Sequence, residues 1–212
     1  MLPRPDQMHH RFADDNAMSV APVSYNKSDH TVEAVISMGS PVERPYGTEV
    51  LRITPDAVDL SRLHDAGIPL LDHHKQDGIN SMLGRVTHAW IEHGALIGRF
   101  KFNQTEQGQK AEGMVARGEV TGVSAGYRVD AWEITDADGE VVDERNVRWN
   151  DNLTFTATRW ALLECSAVGV PADSVAQVRS MPRGFIALED IRTRMRVRHR
   201  MLCRHLRVFG HG

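Results

Sequence analysis

The sequence predicts a mainly β, α+β domain built on an antiparallel β-barrel core with surrounding helices. Short segments of alternating apolar and polar residues recur between residues 31 and 168. The connections His93-Gly94 and Asp136-Ala137-Asp138-Gly139 are tight-turn sequences of the kind that join antiparallel neighbours. The steady strand–helix–strand rhythm of a doubly wound sheet is missing, which leaves a closed or sandwiched β core.

The elements follow in order. Residues 1–30 carry Pro3, Pro5 and Pro22 without a sustained period and read as a flexible leader. Val32 to Met38 is a β-rich apolar run, and Thr48 to Ile53 is a second strand after the Pro41–Gly47 turn. A helix is expected next, with Thr54 as N-cap, Pro55 in its first position, Ala57, Leu60 and Leu63 on its inner face and Gly67 as its stop. Ile68-Pro69-Leu70-Leu71-Asp72 reads as a short buried strand that ends at His73 and His74. Leu83–Glu92 and Ala95–Phe102 alternate on either side of His93-Gly94 and form a hairpin. Glu106–Arg117 suits a helix capped by Thr105 and closed by Gly118. Val120–Tyr127, Arg128–Ile134, Leu153–Thr158 and Trp160–Val168 supply the remaining strands. Beyond Pro182, Leu188, Ile191, Met195, Leu202, Leu206 and Phe209 keep helical spacing among arginines, so residues 181–212 read as a basic amphipathic C-terminal helix.

Composition narrows the function classes. A chain of 212 residues holds one ordinary domain, here residues 31–180, and 41% hydrophobic against 25% charged residues excludes wholesale disorder. No apolar run reaches the ~20 residues that a helical membrane span requires, and no signal peptide is recognised, so a cytoplasmic protein is expected. Cys165 and Cys203 cannot build a disulfide framework, and Cys165, among Leu162, Leu163, Ala167 and Val168, reads as core. His64, His73, His74, His88 and His93 lack a metal-ligand spacing, so neither metal nor organic cofactor is expected. The whole chain carries a net charge of −3, yet from Arg179 onward nine arginines face only Glu189 and Asp190. A basic block on an acidic body suggests a segment for docking on an acidic protein surface ahead of direct DNA binding.

Gly122-Val123-Ser124-Ala125-Gly126 is a literal G-x-S-x-G. In an α/β-hydrolase this motif turns from strand to helix and its histidine comes later. Here Tyr127 to Trp132 continues as a strand, and the downstream histidines, His199, His205 and His211, all lie in the tail. A strand that uses its glycines for close packing is the plain alternative.

The upstream histidines change the picture. Pro69-Leu70-Leu71-Asp72-His73-His74, then Leu83-Gly84-Arg85-Val86, then Gly122-Val123-Ser124-Ala125-Gly126-Tyr127, then Leu163-Glu164-Cys165-Ser166-Ala167-Val168 before Pro171-Ala172 form an ordered set. This set resembles the caudoviral prohead maturation proteases, over about residues 32 to 178. The resemblance implies a fold like that of the herpesvirus assemblins and a serine–histidine mechanism. It implies Ser124 as nucleophile and His73 as general base, with a shift of one residue giving the role to His74. A histidine works near its ordinary pKa as acceptor and donor of the serine proton. For the third group, which orients the imidazole, Glu164 is the choice, with His88, Asp72 and Asp130 in reserve and Arg128 or Arg159 as contributors to an oxyanion hole.

The implied function is a serine endopeptidase that processes scaffolding protein or major capsid protein, or both, and itself inside the procapsid, in the host cytoplasm. A homodimer stays open. The rivals are a non-catalytic capsid-assembly module and a serine esterase.

Overall fold

The computed structural model describes residues 22–65, 67–143, 147, 152–173 and 175–179. It is mainly β, with a sheet that curls into a half-barrel. The strands are β1 Thr31–Ser37, β2 Val42–Arg44, β3 Gly47–Leu51, β4 Val58–Asp59, β5 Ile68–Asp72, β6 Met82–Glu92, β7 Ala95–Phe102, β8 Gly122–Thr135 and β9 Thr154–Val168. Among the described residues the one α-helix is α1, Glu106–Ala116. Residues 1–21 of the expected leader and the whole expected tail helix over 181–212 lie outside the described residues.

The hairpin β6–β7 forms as its sequence predicts. His93 and Gly94 both adopt positive φ, 51° and 76°, which is the mirror-type turn that matches the twist of paired strands. Thr105 caps α1 by accepting the Gly108 N–H at 3.2 Å. The core gathers Ile36, Ile68, Leu96, Phe100, Trp160 and Leu162, all at or below 1% exposure.

Two expectations need correction. The helix over 54–67 is absent: a single turn closes at Thr54, and the chain then runs as β4, parallel to β9, with Val58 opposite Trp160. The Trp160 N–H donates to the Ala57 carbonyl, and Val58 becomes buried, so tertiary pairing outweighs local helix signals. The sheet is also mixed rather than antiparallel throughout, because β9 runs parallel to β3, β4 and β5 along one edge and antiparallel to β8 along the other.

β9 is therefore the hub. The segments expected as four strands are two long ones, β8 and β9, whose pairing shifts at Gly126/Tyr127 and around Ala131. Those bulges change the phase of alternation, so each strand looks like two in the sequence. Beyond β9, residues 175–179 fold back to both β1 and β8: Val178 bridges to Ala34, and Gln177 bridges to Gly122. Arg179 pins this segment, with its buried guanidinium 3.3 Å from Glu92 and 3.6 Å from Glu33.

Candidate active site

Three neighbouring strands set the site. Along β9, Ser166 stands opposite Ser124 of β8 on one side and opposite Leu71 of β5 on the other. Successive side chains of a strand alternate between faces, so Ser166 and Glu164 share a face, as do Ser124 and Gly126. The chain leaves β5 at Asp72 and turns at once, with His73 and His74 at positive φ, 49° and 60°, and Lys75 N–H closing onto the Asp72 carbonyl at 3.0 Å. Two consecutive left-handed residues other than glycine mark a constrained turn, and histidine is among the residues that tolerate this region.

The turn sends the two imidazoles in different directions. His73 has an exposed side chain; its Nδ1 meets the Asp72 carboxylate and its Nε2 accepts the Gly169 N–H at 3.3 Å. The bond from His73 and the Lys75 ammonium hold the Asp72 carboxyl below the usual carboxylate range. His74 turns inward. Its N–H donates to Ser166 Oγ at 2.9 Å, and its Nδ1 lies 2.5 Å from Glu164 Oε1. Ser166 Oγ–H in turn donates to Glu164 Oε2 at 2.8 Å. Glu164 is buried, with Oε1 on the His74 imidazole and Oε2 accepting from the Ser166 hydroxyl.

His74 and Ser124 line one cavity of about 170 Å³. Ser124 is 9% exposed, and His73 does not contribute to the cavity wall. Ile36, Val42 and Leu51 provide apolar wall, and Asp173 closes the side toward β1 by accepting from Ser37 Oγ–H and Met38 N–H. Arg44, Glu49 and Tyr127 add a polar stretch of wall, and the Glu49 carboxylate receives the Tyr127 hydroxyl, the Arg44 guanidinium and, from behind the wall, the Tyr46 hydroxyl. Burial pushes the Glu49 carboxyl up, but Tyr127, Tyr46 and Arg44 together outweigh it and leave the group below its ordinary value. Burial, with the facing carboxylate, pushes the Tyr127 hydroxyl up to about 12.

The glycines of the motif are packing positions. A Cβ at Gly126 would sit 2.0 Å from Glu164 Oε1, and one at Gly122 would sit 2.4 Å from the Val168 carbonyl oxygen. Gly122-Val123-Ser124-Ala125-Gly126 runs straight along β8, so the strand-to-helix turn that an esterase of the α/β-hydrolase type requires is absent.

The other candidates lie apart from the cavity. His88 bonds to Thr87 on the β6–β7 hairpin, Asp130 pairs with Arg128 on the exposed part of β8, and Arg159 is exposed. Cys165 is fully buried, and burial raises its thiol well above the ordinary value, as a core side chain requires. No group of three or more metal-ligating side chains occurs among the described residues. The sequence reading assigned no role to Ser166, Glu49 or Asp173. Only Ser166 had a legible signal, its place two residues from Glu164 on a strand.

Comparison with known proteins points the same way. A 134-residue stretch is 32% identical to a protein named major capsid protein from Halomonas phage phiHAP-1, covering 63% of this chain and 20% of that relative. The chain thus spans about a fifth of the length of this relative. No solved structure matches. The family described as caudovirus prohead serine protease matches residues 21–190, the greater part of the sequence, and the chain belongs to that family.

Proposed function

We propose that the protein is a serine endopeptidase of procapsid maturation in which Ser124 is the nucleophile, His74 the general base and Glu164 the group that orients the imidazole. The observation that carries this reading is that His74, and not His73, lines the cavity of Ser124 while its Nδ1 is tied to Glu164. With Nδ1 carrying a proton held by the carboxylate, Nε2 is left with a lone pair to take the Ser124 proton. The serine oxygen then attacks the scissile carbonyl carbon and forms a tetrahedral oxyanion. Collapse of that species breaks the C–N bond, and the imidazolium returns its proton to the departing amine. Water, deprotonated by the same imidazole, releases the acyl group from Ser124. Ser166 is the positioning residue, because its hydroxyl donates to Glu164 and accepts the His74 N–H.

His73 belongs to the structure of the turn in this reading. Its Nε2 receives the Gly169 N–H and steadies the chain that follows β9. An assemblin-like barrel is consistent with the half-barrel curl around β9. The capsid relative supports a capsid protein as substrate, and the family supports action within the procapsid. Scaffolding protein and the chain's own termini, outside the core at 31–180, are the further substrates of the proposal, and a homodimer is its open partner. The basic tail belongs to docking on protein; DNA has no part in it.

Intact-mass analysis of the full chain co-expressed with its capsid protein tests the assignment. Wild type and His73→Ala give shortened products, whereas Ser124→Ala and His74→Ala leave full-length chains. Unchanged trimming in Ser124→Ala would instead favour a non-catalytic assembly module, and loss in His73→Ala with retention in His74→Ala would return the base to residue 73.

A further inference from the structure

A second depression lies apart from the Ser124 cavity and shares no wall residue with it. This groove, of about 640 Å³, runs over β5, β6 and β9, on the side of the sheet away from the core residues Leu70 and Leu162. Its floor is apolar, formed by Pro69, Leu71 and Leu163, and its rim carries Ile79 and Met82. Ile79 is 85% exposed and Met82 40%, and they are two of the large hydrophobic side chains most open to solvent among the described residues. An isolated exposed side chain is ordinary, but two beside an apolar floor form a surface that water wets poorly.

The charge of the wall has one sign. Arg62, Lys75 and Arg85 line it, and the single carboxylate among its lining residues, Glu164, has both oxygens taken up by His74 and Ser166. Arg62 donates through Nε to the Gly67 carbonyl and Lys75 reaches Asp72, so each keeps further N–H donors for a ligand. Arg85 has no ion-pair partner among the described residues. A cationic, apolar-floored trough stands out on a chain whose charge outside the arginine-rich tail is acidic.

We propose that this groove docks an acidic amphipathic segment of another polypeptide, with two or three apolar side chains against Pro69, Leu163, Ile79 and Met82 and carboxylates on Arg62, Lys75 and Arg85. A nucleic acid would leave the apolar floor unfilled, and a flat bilayer cannot follow a concave trough. The chain's own arginine-rich tail has the wrong sign to fill it. Ser124 and His74 lie in the other cavity, and Glu164, whose carboxylate is turned to His74 and Ser166, is the one member of the proposed catalytic set on the groove wall.

Fluorescence anisotropy tests this with the full chain carrying Ser124→Ala, titrated into a labelled peptide of about fourteen residues in which leucines alternate with glutamates. Two control peptides replace every glutamate by glutamine or by lysine. The glutamate peptide binds, and the glutamine and lysine peptides bind about tenfold more weakly or worse. Arg85→Glu and Ile79→Ser, both at exposed positions, each weaken the glutamate peptide by about tenfold at unchanged thermal stability, and Arg85→Glu gains affinity for the lysine peptide. Absence of binding, equal binding of all three peptides, or indifference to both substitutions overturns the proposal. An effect of Ile79→Ser alone does so too, since it would mark unspecific apolar adhesion.

Discussion

Replacement of Gly126 by alanine probes the candidate site without touching any of its reacting groups. The added methyl carbon falls 2.0 Å from Glu164 Oε1 and 2.7 Å from Glu164 Cγ and Cδ, whereas ordinary contacts begin at 3.4 Å. The strand backbone is held by pairing along β9, so the carboxylate must withdraw by about 1.4 Å. That is enough to break a 2.5 Å contact to His74 Nδ1. Misplacement of a catalytic group by about 1 Å costs roughly 10²-fold in rate, and loss of the orienting carboxylate costs up to about 10⁴-fold. Peptide cleavage by Gly126→Ala is therefore expected to lose 10²- to 10⁴-fold in kcat at nearly constant KM. Stability changes less, because about 1–3 kcal/mol of overpacking is partly offset by the 0.5–1 kcal/mol that alanine gains over glycine in a strand. Glu164→Asp, one methylene shorter, makes room for the new methyl, so the double variant exceeds the product of the two single effects. Steady-state kinetics with a capsid-derived peptide, paired with thermal unfolding, provides the measurement. A kcat within about threefold of wild type, together with additive effects in the double variant, would refute the role given to Glu164.

Other expectations follow from the same contacts. Ser166→Ala removes a donor to Glu164 and an acceptor for His74 N–H, so denaturant unfolding should show a loss of about 1–3 kcal/mol alongside a fall in kcat. Glu49 has a folded-state pKa below its ordinary value, so its contribution to stability is present above about 4.5 and fades as pH falls through the folded value. Tyr127→Phe removes one donor, raises the folded pKa and moves acid unfolding to higher pH, read by urea titrations between about pH 6 and pH 3. Arg179→Ala strips a buried guanidinium from Glu33 and Glu92; a loss of about 3 kcal/mol or more in chemical unfolding is expected, with proteolysis opening first at residues 175–179.

Local signals were legible where local physics decides. The hairpin at His93-Gly94 needs two positive-φ residues and has them, and Thr105 and Gly118 bound α1 as written. Ser124 stood out because small neighbours flank it, and Glu164 because it is the carboxylate of the Leu-Glu-Cys-Ser segment that carries the family resemblance. Which of two adjacent imidazoles meets Glu164 was not legible, since that depends on the handedness of the turn after Asp72. The helix expected at Thr54 failed for a non-local reason: Trp160, far along the chain, takes up the Ala57 carbonyl. Nor could the parallel contacts of β9 with β3, β4 and β5 be read, because nothing near those strands in sequence specifies a partner so distant.

The central position of β9 has a consequence for timing. β5 brings His74 and β8 brings Ser124, but it is the strand between them that holds their common register, and it is also the last long strand of the described fold. A ribosome-bound chain that has released residues only as far as β8 owns the hydroxyl and the imidazole yet has no template to align them. On the proposed mechanism, hydrolytic competence therefore waits for Leu163 to Ala167 to pair with both neighbours, after the rest of the site has been made.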